Sequence, residues 1–121
     1  MKNKSDKLFG YYKKVVTSIS TRIFNEMIKG GSENMMLIEE LQNFSSDAIN
    51  AFSKLFLERL NEGVDDYDNI DDEFIEATKN VFRDRLLDLG CKADFIPNEQ
   101  LVNFCCRETV ALIHYTKQIE D

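Results

Sequence analysis

Proline and glycine are scarce in this sequence, and their scarcity favours long helices. The chain of 121 residues contains one Pro and five Gly, and it has no Trp. Breakers of regular structure are therefore far apart, which leaves stretches that suit helices better than short strands joined by turns. Apolar residues recur along nearly the whole length, so the chain can bury a core of its own. We expect a single helical domain over residues 1–121.

Long apolar runs are also missing. No stretch approaches the roughly 20 apolar residues that a membrane-spanning helix needs. The basic N-terminal residues are not followed by an apolar segment, because two Tyr and two Lys at positions 11–14 interrupt it. The sequence therefore predicts neither a signal peptide nor a membrane span, and it predicts a cytoplasmic protein.

Cysteine and histidine are too few for several kinds of site. The number of Cys is odd, and Cys105 and Cys106 are neighbours whose side chains diverge on a helix, so we expect reduced thiols rather than disulfides. His114 is the only histidine, which excludes sites built from two or more His. Nucleotide-binding and hydrolase motifs are absent from the sequence. These features predict no metal site and no cofactor, and they favour a non-enzymatic protein over an enzyme.

Basic residues are a minority, and they are unevenly placed. The formal net charge is −7, which disfavours direct binding to nucleic acid. Residues 1–31 hold seven basic and two acidic residues, a net +5, whereas residues 32–121 hold eight basic and twenty acidic residues, a net −12. Such asymmetry is typical of an interaction tail or of a basic first helix that packs beside acidic neighbours, and we favour the second interpretation.

Apolar residues at helical spacing are what the sequence has in abundance. The first predicted helix runs from about Ser5 to Lys29, and the pair Gly30-Gly31 ends it. The second begins after Ser32 and runs to about Glu62, either continuously or split near Ser45-Ser46. The inward stripes are predicted at Leu8, Tyr12, Val15, Ile19, Ile23 and Met27 in the first helix and at Leu37, Leu41, Phe44, Ala48, Phe52 and Leu55 in the second.

Two further helices complete the predicted domain. The third begins with Asp71 as its N-cap and closes at Gly90, and the fourth begins near Pro97 or Asn98. Four amphipathic helices joined by short loops predict an all-α protein, either a four-helix bundle or a related compact helical fold. The inward faces are predicted at Phe74, Thr78, Val81, Phe82, Arg85 and Leu89 in the third helix and at Val102, Cys105, Thr109, Leu112, Thr116 and Ile119 in the fourth.

One pair of residues on the fourth predicted helix suggests an enzyme. Arg107 and His114 are seven residues apart, so both point the same way, and the polar Glu108 follows the Arg. This pattern resembles the R-x4-6-H motif of HEPN ribonucleases, small all-helical proteins that often dimerise to pair their motifs. The resemblance implies an alternative function, a HEPN-like ribonuclease that uses Arg107 and His114 in a homodimer.

The densest group of charges follows the second predicted helix. Acidic residues crowd positions 58–76, but a calcium-binding EF-hand is excluded because Ile70 and Asp71 stand where a ligand and a Gly are required. Such a surface can dock a protein partner with a basic surface, including a nucleic-acid-binding protein whose target it mimics. The predicted partner-binding residues are Glu62, Asp65, Asp66, Asp68, Asp71, Asp72 and Glu73.

Methionines near the first interhelical turn are a second candidate interface. Met27, Met35 and Met36 lie near Phe24 in the sequence, and they indicate core packing unless they form an exposed patch, which would mark an oligomer or partner interface. Membrane-surface binding by the Lys-rich first helix would need its apolar face to be free, whereas we expect that face in the core. We therefore predict a protein–protein interaction or regulatory module, such as an acidic inhibitor of a basic nucleic-acid-binding protein, and self-association into a homo-oligomer.

Overall fold

The described part of the chain forms four helices, as the sequence predicts. The computed structural model describes residues 4–61 and 72–118, and within these ranges it contains helices and no strand. The helices are α1 (Lys4–Lys29), α2 (Ile38–Asn61), α3 (Asp72–Ala93) and α4 (Glu99–Gln118). Across the described ranges, no helix combines the length and the apolar character that crossing a membrane demands.

The four helices pack in a closed ring. Each helix contacts the next one along the chain, and α4 returns to contact α1. Short connectors at residues 30–37 and 94–98 join consecutive helices and make them antiparallel neighbours. Among the described residues the α2–α3 seam is the most thinly packed of the four. This arrangement confirms the predicted all-α four-helix fold.

Most of the predicted inward stripes form the core; the predicted side chains of Leu55, Thr116 and Ile119 lie outside the described part of the structure. Ile19, Ile23 and Met27 of α1 are fully buried, as are Leu41 of α2 and Phe82 of α3. Because the apolar face of α1 lies in the core, the face that membrane-surface binding would require is already occupied. The predicted stripes miss several buried residues, namely Val16, Ile49, Leu86 and Cys106.

The predicted start of the second helix is wrong. We predicted that it begins after Ser32, but α2 starts at Ile38, and Leu37, predicted in its inward stripe, is 69% exposed. Ser32 is buried and donates its hydroxyl to the carbonyl oxygen of Ala93 at 2.6 Å, so it holds the connector against the end of α3 instead of capping α2.

The serine pair does not split α2, which is continuous from Ile38 to Asn61. Ser45 donates its hydroxyl to the Leu41 carbonyl at 2.9 Å, a bond within the helix that satisfies the buried oxygen. Its Oγ also lies 3.1 Å from the Oγ of Ser20 on α1. The serine therefore faces the α1–α2 contact and leaves the helix intact.

The predicted stop at Gly90 is also wrong. α3 continues to Ala93, and Asp94 then takes a positive φ of 53°. The chain turns back over the helix, because the Phe95 amide donates to the Gly90 carbonyl at 2.9 Å. A Cβ built on Gly90 would lie 2.3 Å from the Phe95 carbonyl oxygen, so glycine is needed there for close approach and not for a left-handed stop.

The start of α4 agrees with the prediction at Asn98. Its side-chain oxygen accepts a hydrogen bond from the Leu101 amide at 2.8 Å, which is N-cap geometry. The predicted stop at Gly63 and the predicted cap at Asp71 lie outside the described residues.

Candidate functional site

An open groove follows the seam between α2 and α3. It lies between residues 40–54 of α2 and residues 85–92 of α3, and we call it the α2–α3 groove. The part nearer the connectors has a volume of about 390 Å³, and its lining includes Met36, Phe44 and Leu89. A second hollow continues along the same seam and shares Asp47 and Arg85 with the first.

The charged groups of this groove form no ion pairs with one another among the described residues. Glu40 and Asp47 line it from α2, and Arg85 and Lys92 line it from α3. Among the described residues neither Arg85 nor Lys92 forms an ion pair within 4.0 Å. Arg85, which we predicted on the inward face of its helix, is half-buried at the edge of the groove. Opposite charges therefore face each other across the seam without closing it.

The seam between α3 and α4, by contrast, is bridged. Arg83 donates two hydrogen bonds to the carboxylate of Glu99, at 3.1 and 2.7 Å. This bidentate hydrogen bonding holds the pKa of Glu99 below its usual value. Among the described residues, the α2–α3 groove has no such bond, although its acidic and basic side chains line the same hollow.

Apolar side chains are exposed at one end of the bundle. This connector end is the end at which residues 30–37 join α1 to α2 and residues 94–98 join α3 to α4. Two hydrogen bonds hold it together, from the Ser32 hydroxyl to the Ala93 carbonyl and from the Asn34 amide to the Lys92 carbonyl. The large exposed hydrophobic residues in the connectors or within two turns of them are Ile28, Met35, Leu37, Ile38, Leu87 and Ile96.

The predicted methionine cluster divides between core and surface. Met27 is fully buried, and Met36 and Phe24 are half-buried against the core. Met35 is 50% exposed at the connector end. Core packing therefore explains most of the cluster, and Met35 alone of the three methionines joins the exposed apolar group.

The predicted Arg–His pair lies on the solvent face of α4. Arg107 and His114 are both exposed, and their separation of seven residues places them about 10 Å apart along the helix axis. The Arg107 guanidinium carbon lies 5.8 Å from the centre of the Phe104 ring, and that of Arg22 lies 5.0 Å from the same ring. The catalytic pairing was predicted for a homodimer, which a single chain does not test, so it stays a prediction.

The predicted acidic surface is described only in part. Asp72 and Glu73 are exposed in the first turn of α3, where negative charge suits the helix dipole. Glu62, Asp65, Asp66, Asp68 and Asp71 lie outside the described residues. Within the parts of the chain that are described, no group of three or more His, Cys, Asp or Glu residues could hold a metal ion.

The cysteines differ sharply in their surroundings. Cys105 and Cys106 are buried and Cys91 is exposed, and all three are free thiols. Burial raises the pKa of Cys105 to about 12, and it raises the pKa of Cys106 as well. Both groups are therefore held as protonated, poorly nucleophilic thiols.

This difference predicts a one-thiol reaction in the native protein. At about pH 8 we expect a reagent such as DTNB to modify Cys91 rapidly and the other two thiols at least about 100-fold more slowly. In denaturing urea all three should react at similar rates, and Cys91→Ser should remove the fast phase. A fast phase of two or three equivalents in native protein would contradict the buried positions of Cys105 and Cys106.

The groove residues are what reasoning from the sequence missed. The signal was present, because Glu40 and Asp47 are seven residues apart on α2 and Arg85 and Lys92 are seven apart on α3. Two turns of helix separate each pair, so both members face the same side. What the sequence could not show is that the acidic stripe and the basic stripe lie opposite each other.

Comparison with protein-family models, with curated proteins and with solved structures finds no match for this chain.

Proposed function

We propose that this chain is a non-enzymatic protein-interaction module that contacts its partner with the connector end of the bundle. The observation that carries the proposal is the grouping of exposed apolar side chains. Among the described residues seven large hydrophobic side chains are exposed, and Phe9 is the only one of them that lies away from the connector end. Scattered exposed hydrophobic residues are normal, but a group of them at one place is typical of a protein-binding surface.

The apolar side chains at the connector end are exposed enough to contribute substantially to the binding of a partner. Leu37 is 69% exposed and Ile96 is 91% exposed. Burying a large aliphatic side chain contributes about 1.5–3 kcal/mol, so a few such residues can supply much of the affinity of a specific complex. The hydrogen bonds of Ser32 and Asn34 to α3 hold the first connector in place before a partner binds, and the bond from the Phe95 amide to the Gly90 carbonyl holds the second. Such preorganisation lowers the entropic cost of association.

The acidic residues support a partner with a basic surface. Asp72 and Glu73 are exposed at the start of α3, about 30 Å along the helix from the connector end, and they follow further acidic residues in the sequence. They therefore bear on the encounter with a partner and not on the apolar contact itself. A net charge of −7 accelerates encounter with a positively charged protein and disfavours encounter with nucleic acid. An acidic inhibitor of a basic nucleic-acid-binding protein is the specific form of the proposal.

Site-specific photo-crosslinking in cells tests the proposed surface. A photoreactive phenylalanine analogue is placed at Leu37, at Ile96 and, as a control, at Lys14, which is exposed on α1 away from the connector end. We expect Leu37 and Ile96 to yield adducts with the same protein and Lys14 to yield none. The double variant Leu37→Glu/Ile96→Glu should reduce recovery of that protein about 10-fold or more, because the burial of both side chains is lost.

Two outcomes would count against the proposal. Equal adducts at all three positions would show non-specific contact, and adducts that contain only a second copy of this chain would rule out a separate partner at this end. The basic character of the partner is tested by Asp72→Lys/Glu73→Lys, which should weaken binding at low salt. Unchanged affinity would reject the basic partner and leave the apolar contact standing.

A further inference from the structure

The polar residues of the α2–α3 groove form two complementary series. Going away from the connector end, the α2 side presents an acid at Glu40, an amide at Asn43 and an acid at Asp47. Because α3 runs antiparallel to α2, the α3 side presents a base at Lys92, an acid at Asp88 and a base at Arg85 in the same direction. Each series spans seven residues, so each occupies two turns on one face of its helix.

These groups face each other across the seam without bonding. Glu40, Asp47, Arg85 and Lys92 line one hollow, yet among the described residues no ion pair joins the two series. The floor between them is apolar, since Phe44 and Leu89 lie there and Leu89 is 3% exposed. The surface therefore offers partly unsatisfied charges in register above an apolar floor.

We propose that the occupant of this groove is the same groove of a second copy of the chain. A two-fold axis along the seam places α2 of one copy over α3 of the other, antiparallel and at the same level. Glu40 then meets Lys92 of the second copy, and Asp47 meets Arg85 of the second copy. Asn43 meets Asp88, to which its amide can donate a hydrogen bond. Each contact occurs twice, as an isologous interface requires.

The charge balance of the groove favours a second copy over another acidic or basic partner. The chain carries a net charge of −7, so two copies repel each other over most of their surface. Among the described residues, the charged side chains that line the groove are three acids (Glu40, Asp47 and Asp88) and three bases (Lys54, Arg85 and Lys92), which sum to zero. This face therefore adds no net repulsion of its own, and its charge pattern is complementary to itself.

The size of the groove predicts a weak dimer. Residues 40–54 of α2 span about 21 Å, and two adjacent helices are about 20 Å wide, which gives a footprint of roughly 400 Å² per copy. Stable interfaces bury about 800 Å² per partner, so we expect a dissociation constant in the range of about 10–500 µM. Because α4 packs on α1 and α3, this dimer leaves its solvent face, with Arg107 and His114, outside the interface.

Reciprocal charge reversal tests the proposed pairing. Wild-type chain should sediment between 14.1 kDa and twice that mass as its concentration rises to about 1 mM. Asp47→Arg and Arg85→Asp should each raise the dissociation constant of the dimer about 10-fold or more, since each places like charges opposite each other twice. A mixture of the two variants should dimerise, because each chain then supplies the charge that the other needs.

Recovery of the dimer on mixing distinguishes specific charge pairing from misfolding of the variants. A variant that had only misfolded would not be rescued by mixing, and circular dichroism of each variant checks the fold directly. Lys14→Asp makes the same change of charge as Arg85→Asp on the solvent face of α1 and should dimerise like wild type. A wild-type chain that stays monomeric at 1 mM, or a mixture that stays monomeric while wild type dimerises, would overturn the proposal. Neither result bears on the connector end, which the crosslinking experiment tests separately.

Discussion

Truncating Phe74 to alanine is expected to lower the free energy of unfolding by about 3–5 kcal/mol. Phe74 is 1% exposed, and its ring packs against that of Phe52 with centroids 5.4 Å apart and planes tilted by 54°. The loss combines the transfer free energy of a large side chain with the cost of a cavity that the helices cannot fill. These two rings join α2 to α3 at the seam that is the most thinly packed among the described residues, so few other contacts there can compensate for the loss.

Urea denaturation followed by circular dichroism measures this effect, and Phe9→Ala is the matched control. Phe9 is 59% exposed on α1, so its truncation should change stability by no more than about 0.5 kcal/mol. A double-mutant cycle with Phe52→Leu and Phe74→Leu should give a coupling energy of about 0.5–1.5 kcal/mol. Equal losses for Phe74→Ala and Phe9→Ala would contradict the packing described for these rings.

Replacing Gly90 by alanine is expected to destabilise the protein by about 2–3 kcal/mol. Alanine is the better helix former by about 1 kcal/mol, so intrinsic propensity alone predicts the opposite sign. The added Cβ would lie 2.3 Å from the Phe95 carbonyl oxygen and 3.1 Å from Cδ of Pro97. A backbone carbonyl cannot turn aside as the end of a flexible side chain can, so the connector must shift and its hydrogen bond to the Gly90 carbonyl weakens.

Gly10→Ala is the control for this substitution, because Gly10 also lies within a helix and nothing lies within 4 Å of a Cβ built on it. There the same change should stabilise the protein by about 0.5–1 kcal/mol. Opposite signs at the two positions in urea denaturation would confirm that close approach, and not helix propensity, decides the effect at Gly90. Stabilisation at both positions would show that the connector moves away freely.

Much of the fold follows from the spacing of apolar residues. The predicted apolar residues from Val15 to Met27 recur at helical spacing on one face of α1, and they are buried as predicted. The bounds of the helices were less accessible, because Ser and Gly have more than one use in a chain. Ser32 was predicted as a cap and instead bonds to Ala93, and Gly90 was predicted as a stop and instead lies under Phe95. The first error arises from a hydrogen bond between segments that are distant in the sequence. The second arises because the connector folds back over the end of α3.

The candidate surfaces divide in the same way. The acidic residues before α3 were recognisable from the sequence alone, since charge density needs no partner to be seen. The α2–α3 groove was not recognisable, because Asp47 and Arg85 are 38 positions apart in the numbering and have no sequence relation that marks them as neighbours. Met35 and Leu37 were assigned to a cluster and to a helical stripe, and their exposure followed only from the late start of α2.

By itself, the sequence of this protein determined the number of helices, most of their inward faces and the uneven charge, because each of these depends on residues a few positions apart. Only the tertiary structure decided where α2 begins, why Gly90 must be glycine, which apolar residues stay exposed and which charges face one another. These features depend on how helices pack side by side, and the periodicity of a single helix carries no information about the neighbour against which it packs.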